Sequence, residues 1–457
     1  MNPEPSFSEQ LAKYYLSADS TAIPKSVLDQ TKQIIIDYLG CAIGGADAET
    51  TRMIKKIFTD GAGNCAVFNG EKATVERAAF INAAASHTLE LDDSRNDAGG
   101  HPAVVVIPAA MAMAEEVNAG GSDFIYSVLW GYDMMTRVGK GVVPENCFGR
   151  GWHPTATNGI FGATLATGLL LKLNEKQLAN AWGIAYGFAS GNLECYADNT
   201  LTKRLNPANA ARGATDAARL ALVGYSGPRW CFEGKHGYFT AFTDDPEPVR
   251  MLENMDFSDY AVTGVAFKPH ACCRLSHSPI DSVIKIMRDE GLKADNIDKV
   301  VIDVCQTAVR AVVEPRELKY DPCNIAGAQF SLPYSVACAA LFGDVSVTQF
   351  TEEKLRDKNI RDFMKKVEMI KTGEMDAWLP DIFAATAEIF TKDGRRFKEL
   401  TKFSKGEPSN PMTVEEIKNK FLSLAVPAVG EKRATEIYDA VTDLDKITSI
   451  RDFTELL

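Results

Sequence analysis

Six histidines occur in 457 residues, and three of them sit beside proline: Gly99-Gly100-His101-Pro102, Gly151-Trp152-His153-Pro154 and Lys268-Pro269-His270. An imidazole titrating near ~6.5 on a rigid, solvent-reachable turn is suited to general acid or base work, although a plain surface turn has the same composition. Upstream of the first lies Glu90-Leu91-Asp92-Asp93, whose carboxylates can orient an imidazole, carry a proton or cap a loop. Cations complete the set. Lys203 and Arg204 precede an Ala-rich segment, so side-chain charge and helix N-terminal amides can face one anion. Lys268 and Arg274 stand in Phe267-Lys268-Pro269-His270-Ala271-Cys272-Cys273-Arg274, where the texture of the chain changes and a cleft between two domains is expected. Each stretch alone reads more often as solvated surface; together they describe proton transfer beside a carboxylate held by cations.

Helices must position most of these groups. Val27, Leu28, Ile34, Ile35, Tyr38 and Leu39 form one apolar face from Pro24 to a stop at Gly40. A second helix, capped by Thr74, runs toward Leu91 and delivers the acids to its C-terminal end, where the helix dipole disfavours them. Segments 158–173, 174–190 and 206–223 are further Ala-rich helices. After Phe267 strands enter: 299–309 alternates and is β-branched, 366–370 is a short strand, and Asp393-Gly394 turns a hairpin within 385–400. Helices at 276–290, 331–341 and 351–363 interleave with them, and 414–424 and 431–441 return to helical periodicity. The expected fold is mainly α: a large all-helical domain built from both chain ends, 1–267 and 405–457, with a smaller α+β lid domain, 268–404, inserted between them.

Composition narrows the function. Against 49 Lys+Arg stand 61 Asp+Glu, a net charge of −12 without a basic block, which argues against nucleic acid and anionic membrane as partners. The apolar stretch 103–114 is too short to span a bilayer and is broken by Pro108. Residues 1–8 lack the cationic start and apolar core of a secretory signal, so a cytoplasmic chain is expected. Ten cysteines without CxxC spacing read as reduced thiols. Cys272, Cys273 and His277 make a weak case for a metal, because adjacent cysteines rarely chelate one ion. No phosphate loop, GxGxxG, HExxH or GxSxG motif is present, so no cofactor and no metal is expected.

Five stretches in order carry a family likeness: Glu90-Leu91-Asp92-Asp93 with His101-Pro102, GWHPTATNGIFGATLATGLLLKL from Gly151, KRLNPANAARGA from Lys203, FKPHACCRLSH from Phe267 and AQFSLPYSVACA from Ala328. The chain resembles the MmgE/PrpD family, which includes 2-methylcitrate dehydratase, cis-aconitate decarboxylase and iminodisuccinate epimerase. The resemblance implies the same two-domain layout and a homodimer. It also implies active-site roles for His101 and His153, substrate-binding roles for Lys203 and Lys268, a lid tyrosine, Tyr334, facing the cleft, and a place for His277 at the end of the Lys268 motif. Three departures fall at the substrate end. The DFDDT box reads Glu90-Leu91-Asp92-Asp93-Ser94, the loop onward to His101 is longer, and the histidine of KRLH is Asn206.

The chemistry shared by such a family removes a proton, hydroxyl or carbon dioxide next to a carboxylate, and lysines aimed at that carboxylate stabilise the charge that builds on carbon. The expected protein is a metal-independent lyase of a small di- or tricarboxylate, either a dehydratase or a decarboxylase. His101 and His153 share acid and base duties in either order, Asp93 orients the pair, and Glu90 is a further candidate. Lys203 and Lys268, with Ser94, Arg204 and His277, bind substrate. An epimerase that returns the proton to the other face, and a carboxylate-binding protein without catalysis, are the alternatives.

Overall fold

A computed structural model describes residues 4–59, 61–198, 200–379 and 382–457. Two apolar cores organise them. The first gathers side chains from Leu11 to Phe267 and again from Ile417 to Leu457; the second runs from Ala271 to Ile389, joined by Cys41, Leu91 and Leu424 from the first. We propose that the domains divide where these cores do, near 268 and 404.

The first helix of the reading extends over Lys25–Gly45, five residues beyond the expected stop. Gly40 serves close packing instead of termination: a Cβ there would lie 3.1 Å from the Cα of Phe421 on the C-terminal helix Val414–Val429. Thr413 and Glu416 form a capping box at the start of that helix, which brings the chain end back onto the helical body. The helix Ala103–Val117 runs through Pro108, which was expected to break it. Every side chain from Ala103 to Glu115 is buried, and burial on all sides outweighs the single backbone bond that proline forgoes. Around it pack Val75–His87, Gly121–Val142, Pro154–Leu170 and Leu205–Leu222. No helix among the described residues is long and apolar enough to cross a membrane.

The second unit holds a four-stranded mixed sheet. Ile297–Val304 pairs in parallel with Val367–Ile370 and antiparallel with Ala385–Thr391, which pairs in turn with Arg396–Thr401 across the expected Asp393-Gly394 hairpin. His277–Asp289 covers this hairpin, and Leu332–Phe342, capped by Ser331, packs on that helix. The strand expected over 299–309 ends at Val304. Gln306 N then donates to Asp376 Oδ1 at 2.7 Å, and the chain passes through Gln306–Ala308 into a π-helical turn, Val309–Val313. Burial of Val312 and Val313 overrides their β propensity there. The helix expected over 351–363 is two, Glu352–Leu355 and Lys358–Met364, because Asp357 caps the second by accepting from Asn359 N at 2.8 Å.

Between Cys195 and Cys273, near the seam of the two units, the Lys319 ammonium is fully buried and has no hydrogen-bond partner among the described residues. Burial pushes it down from 10.5 to about 8. The unfolded chain therefore binds the proton more tightly, so the group destabilises the fold at neutral pH, and this penalty fades as pH climbs from about 8 to 10.5. Lys319→Met is expected to gain about 2–3 kcal/mol over wild type at pH 7, and that difference is expected to shrink at pH 10. Urea melts at pH 7 and pH 10 check this, and a variant no more stable than wild type at pH 7 refutes it.

Candidate active site

The helix Val75–His87 stops before the acids. Thr88 is its C-cap and turns its hydroxyl back onto Ala84 O, and Glu90 then takes a positive φ of 55°, so the acids stand on an irregular turn free of the helix dipole. The antiparallel bridge between Ser94 and Ala266 brings Lys268 beside this turn. The 3-10 turn Leu201–Arg204 brings Lys203 to it from the other side. Glu90, 1% exposed, accepts from Lys203 Nζ at 2.6 Å and lies 3.6 Å from Lys268 Nζ and 3.9 Å from Arg204. Burial opposes its charge, yet Lys203, Lys268 and Arg204 together hold its carboxyl well below the usual range. The lysines expected to meet substrate are thus already paired with Glu90.

Each ring tautomer follows from its partners. His87 donates Nδ1–H to Asp92 Oδ2 at 2.8 Å and accepts from Lys203 Nζ at Nε2, 2.7 Å. His101 turns Nδ1 to Asp93 O at 2.5 Å, with Asp92 Oδ2 at 3.2 Å, which leaves Nε2 for the space beyond. His153 accepts from Asn206 Nδ2 at 3.2 Å, placing its proton on Nε2, and its ring lies 5.8 Å from that of His87. Burial lowers the proton affinity of all three, His101 to about 3, so they are neutral in the free protein. Burial works against Asp92 too, but the hydrogen bond from His87 Nδ1–H and the Lys268 ammonium hold its carboxyl well below the usual range. Asp93 was expected to orient the histidine pair. Its carboxylate instead accepts from Tyr132 OH at 2.8 Å and from Ala103 N at the start of the central helix, and burial with neighbouring Asp92 raises its carboxyl well above the usual range. Asp92 Oδ2 reaches His87 and His101, Asp93 meets His101 through its backbone carbonyl alone, and His153 is held by Asn206.

A cavity of about 790 Å³ opens above this cluster, between the two units. Glu90, Ser94, His101, Lys203 and Lys268 line its floor, and Arg274, Arg310 and Phe330 of the second unit line its other side. Gly99 and Gly100 make the approach of His101 possible. Gly99 has a φ of +66°, and a Cβ on Gly100 would meet Thr155 N at 2.9 Å.

Residues 9–251 match the MmgE/PrpD N-terminal domain and residues 270–446 the MmgE/PrpD C-terminal domain. The chain belongs to the MmgE/PrpD family. Among its relatives is the cis-aconitate decarboxylase of Aspergillus terreus, 29% identical over 459 residues that cover 95% of this chain and 92% of the relative. The cis-aconitate decarboxylase-like protein oryM of Aspergillus oryzae is 25% identical over 484 residues, covering 100% and 98%. The cis-aconitate decarboxylase of Mus musculus is 24% identical over 451 residues, covering 94% and 89%.

In this MmgE/PrpD chain the residues singled out from sequence fall into three groups. Glu90, Ser94, His101, Lys203 and Lys268 meet at the cavity. Asp93 and His153 lie behind it, as does Arg204, whose guanidinium donates to Gln329 Oε1 at 2.6 Å. Tyr334 and His277 are elsewhere. Tyr334 OH donates to Gln349 O at 2.7 Å and its ring packs on Phe350; His277 is buried between Arg274 and Cys272 O. The histidine turns were expected to be solvent-reachable, but the fold covers them: His153 is 2% exposed, and His270 is buried against Asp281 at 2.9 Å. The reading from sequence passed over His87, which joins Asp92 to Lys203. It lies inside a helical pattern, and its one signal was an imidazole five residues before Asp92.

Proposed function

We propose that the protein is a metal-independent lyase of a small di- or tricarboxylate, of the type that decarboxylates cis-aconitate. The observation that carries this reading is His101: Nδ1 is anchored on Asp93 O and Asp92, Nε2 is left for the cavity, and Lys203 and Lys268 stand beside it. In decarboxylation the bond to the departing carboxylate breaks, and its electron pair passes into the alkene conjugated with a second carboxylate. Lys203 and Lys268 stabilise that charge, and the carbon then takes up one proton. Bound polyanion raises the proton affinity of His101 from about 3, and Asp92 stabilises the resulting imidazolium, so His101 is the proton donor. The lysines supply the positive charge that a metal would otherwise bring.

A second reading, dehydration, draws on the neutral state of the same ring, whose Nε2 lone pair is ready to take a proton next to a carboxylate. NMR of the purified protein with cis-aconitate in D₂O, in the presence of a chelator, separates the two. Decarboxylation releases carbon dioxide and places one deuterium in the product; the dehydratase type interconverts alkene and hydroxy acid without loss of carbon. An unchanged spectrum with cis-aconitate, citrate and 2-methylcitrate sinks both, and activity that returns only with one divalent ion sinks the metal-independent part.

A further inference from the structure

The charges on the cavity floor are largely spent. Lys203 and Lys268 divide their charge between Glu90, Asp92 and the reacting end of a ligand, so they leave little for its second or third carboxylate. Two of the arginines along the wall are also committed: Arg95 pairs with Asp97 at 2.8 Å, and Arg274 with Glu407 at 3.2 Å. Arg316 lays its guanidinium over the Tyr320 ring, 4.3 Å from the centroid. Arg310 differs, because it lines the cavity, is exposed, and has no ion pair or hydrogen bond among the described residues.

Its position is built by the π-helical turn Val309–Val313, closed by Glu314 N donating to Val309 O at 2.9 Å. Such turns are rare and occur often at functional sites, since the wider turn re-aims side chains. Here Ala308, Val312 and Val313 anchor one side in the second core, and Arg310 with Glu314 is left on the cavity side. Glu314 is the nearest acid in sequence on this face, and no ion pair joins the two among the described residues.

We infer that Arg310 is the specificity-determining residue of the cavity, taking the substrate carboxylate farthest from the reacting carbon and so favouring tricarboxylates over dicarboxylates. The inference rests on the carboxylate-lyase reading and names what that reading leaves open. A guanidinium suits the task because its planar fork grips a carboxylate through two parallel bonds. The second unit supplies Arg310 and the first supplies His101, so one ligand held by both spans the seam between the units.

The test uses the full chain and two unreactive probes, propane-1,2,3-tricarboxylate and glutarate, followed by thermal shift. Wild type is expected to be stabilised more by the tricarboxylate. Arg310→Gln should erase that preference while leaving the glutarate shift unchanged, and Arg316→Gln should keep it. KM for the turned-over tricarboxylate should rise roughly tenfold or more in Arg310→Gln with kcat little changed. If Arg310→Gln melts lower without ligand, Arg310→Lys replaces it, expected to keep the charge and lose part of the preference. A preference intact in the Arg310 variants overturns the inference and leaves the lyase reading standing if turnover persists. No stabilisation of wild type by either probe, together with no turnover, overturns both.

Discussion

His101→Gln is expected to lower kcat by about 10²- to 10⁴-fold, the usual contribution of one positioned acid or base, with little change in the melting temperature. The ring meets the cavity through Nε2, and its other contacts are one backbone carbonyl and one carboxylate, which a glutamine amide can partly replace. The pH profile should follow the burial of the ring. In the free protein His101 is neutral down to about pH 3, so kcat/KM should show no limb near pH 6.5 from this group. A limb in kcat reports the substrate-bound form, in which the polyanion raises proton affinity. Steady-state kinetics from pH 5 to 9 on both proteins check the pair of expectations. A loss under about tenfold removes His101 from the chemistry and returns the role to His153 or His87.

The second large effect is on stability. Glu90→Gln removes the acid that Lys203 and Lys268 share inside the protein, and leaving buried charge uncompensated costs about 3–5 kcal/mol. Lys203→Met is expected to cost as much, because Glu90 and His87 both lose the ammonium between them. Because the pairing is buried, a lysine change is expected to weaken the fold as well as substrate binding. The pH dependence has a definite sign. The folded carboxyl of Glu90 titrates below its unfolded value of 4.5, so its contribution is complete above that pH and falls away as pH drops toward the folded value. Denaturant melts at pH 7 and pH 4 should show wild type losing an acid-sensitive contribution that Glu90→Gln never had. A variant within about 1 kcal/mol of wild type at pH 7 would mean that solvent reaches the pair and screens it.

Local patterning and short motifs were enough for the two-part fold and brought out several residues that meet at the cavity. Helical periodicity and the Asp393-Gly394 hairpin act over a few residues, and each was found in the structure near its expected place, whereas Thr74 stands at the start of its helix without a side-chain cap bond. His101, Lys203 and Lys268 stood out because polar groups set beside Gly, Pro and Ala-rich helices are conspicuous in composition. The misreadings share one cause, which is that burial outweighs local preference. Pro108 stays helical inside a fully buried helix, Gly40 permits a close contact where a stop was expected, and the β-branched run after Val304 becomes a π turn. In the site, sequence neighbours do opposite work. Asp92 holds two imidazoles, and Asp93 accepts from Tyr132 and Ala103 N, because a positive φ at Glu90 starts an irregular turn whose successive side chains diverge. His87 carried no mark of its role within a helical pattern, and nothing in the sequence singled out Arg310. Which groups ionise, which cations are already paired and which one faces the cavity depend on distances between residues far apart in the chain, since charge interactions and burial act through space and only the folded chain sets them.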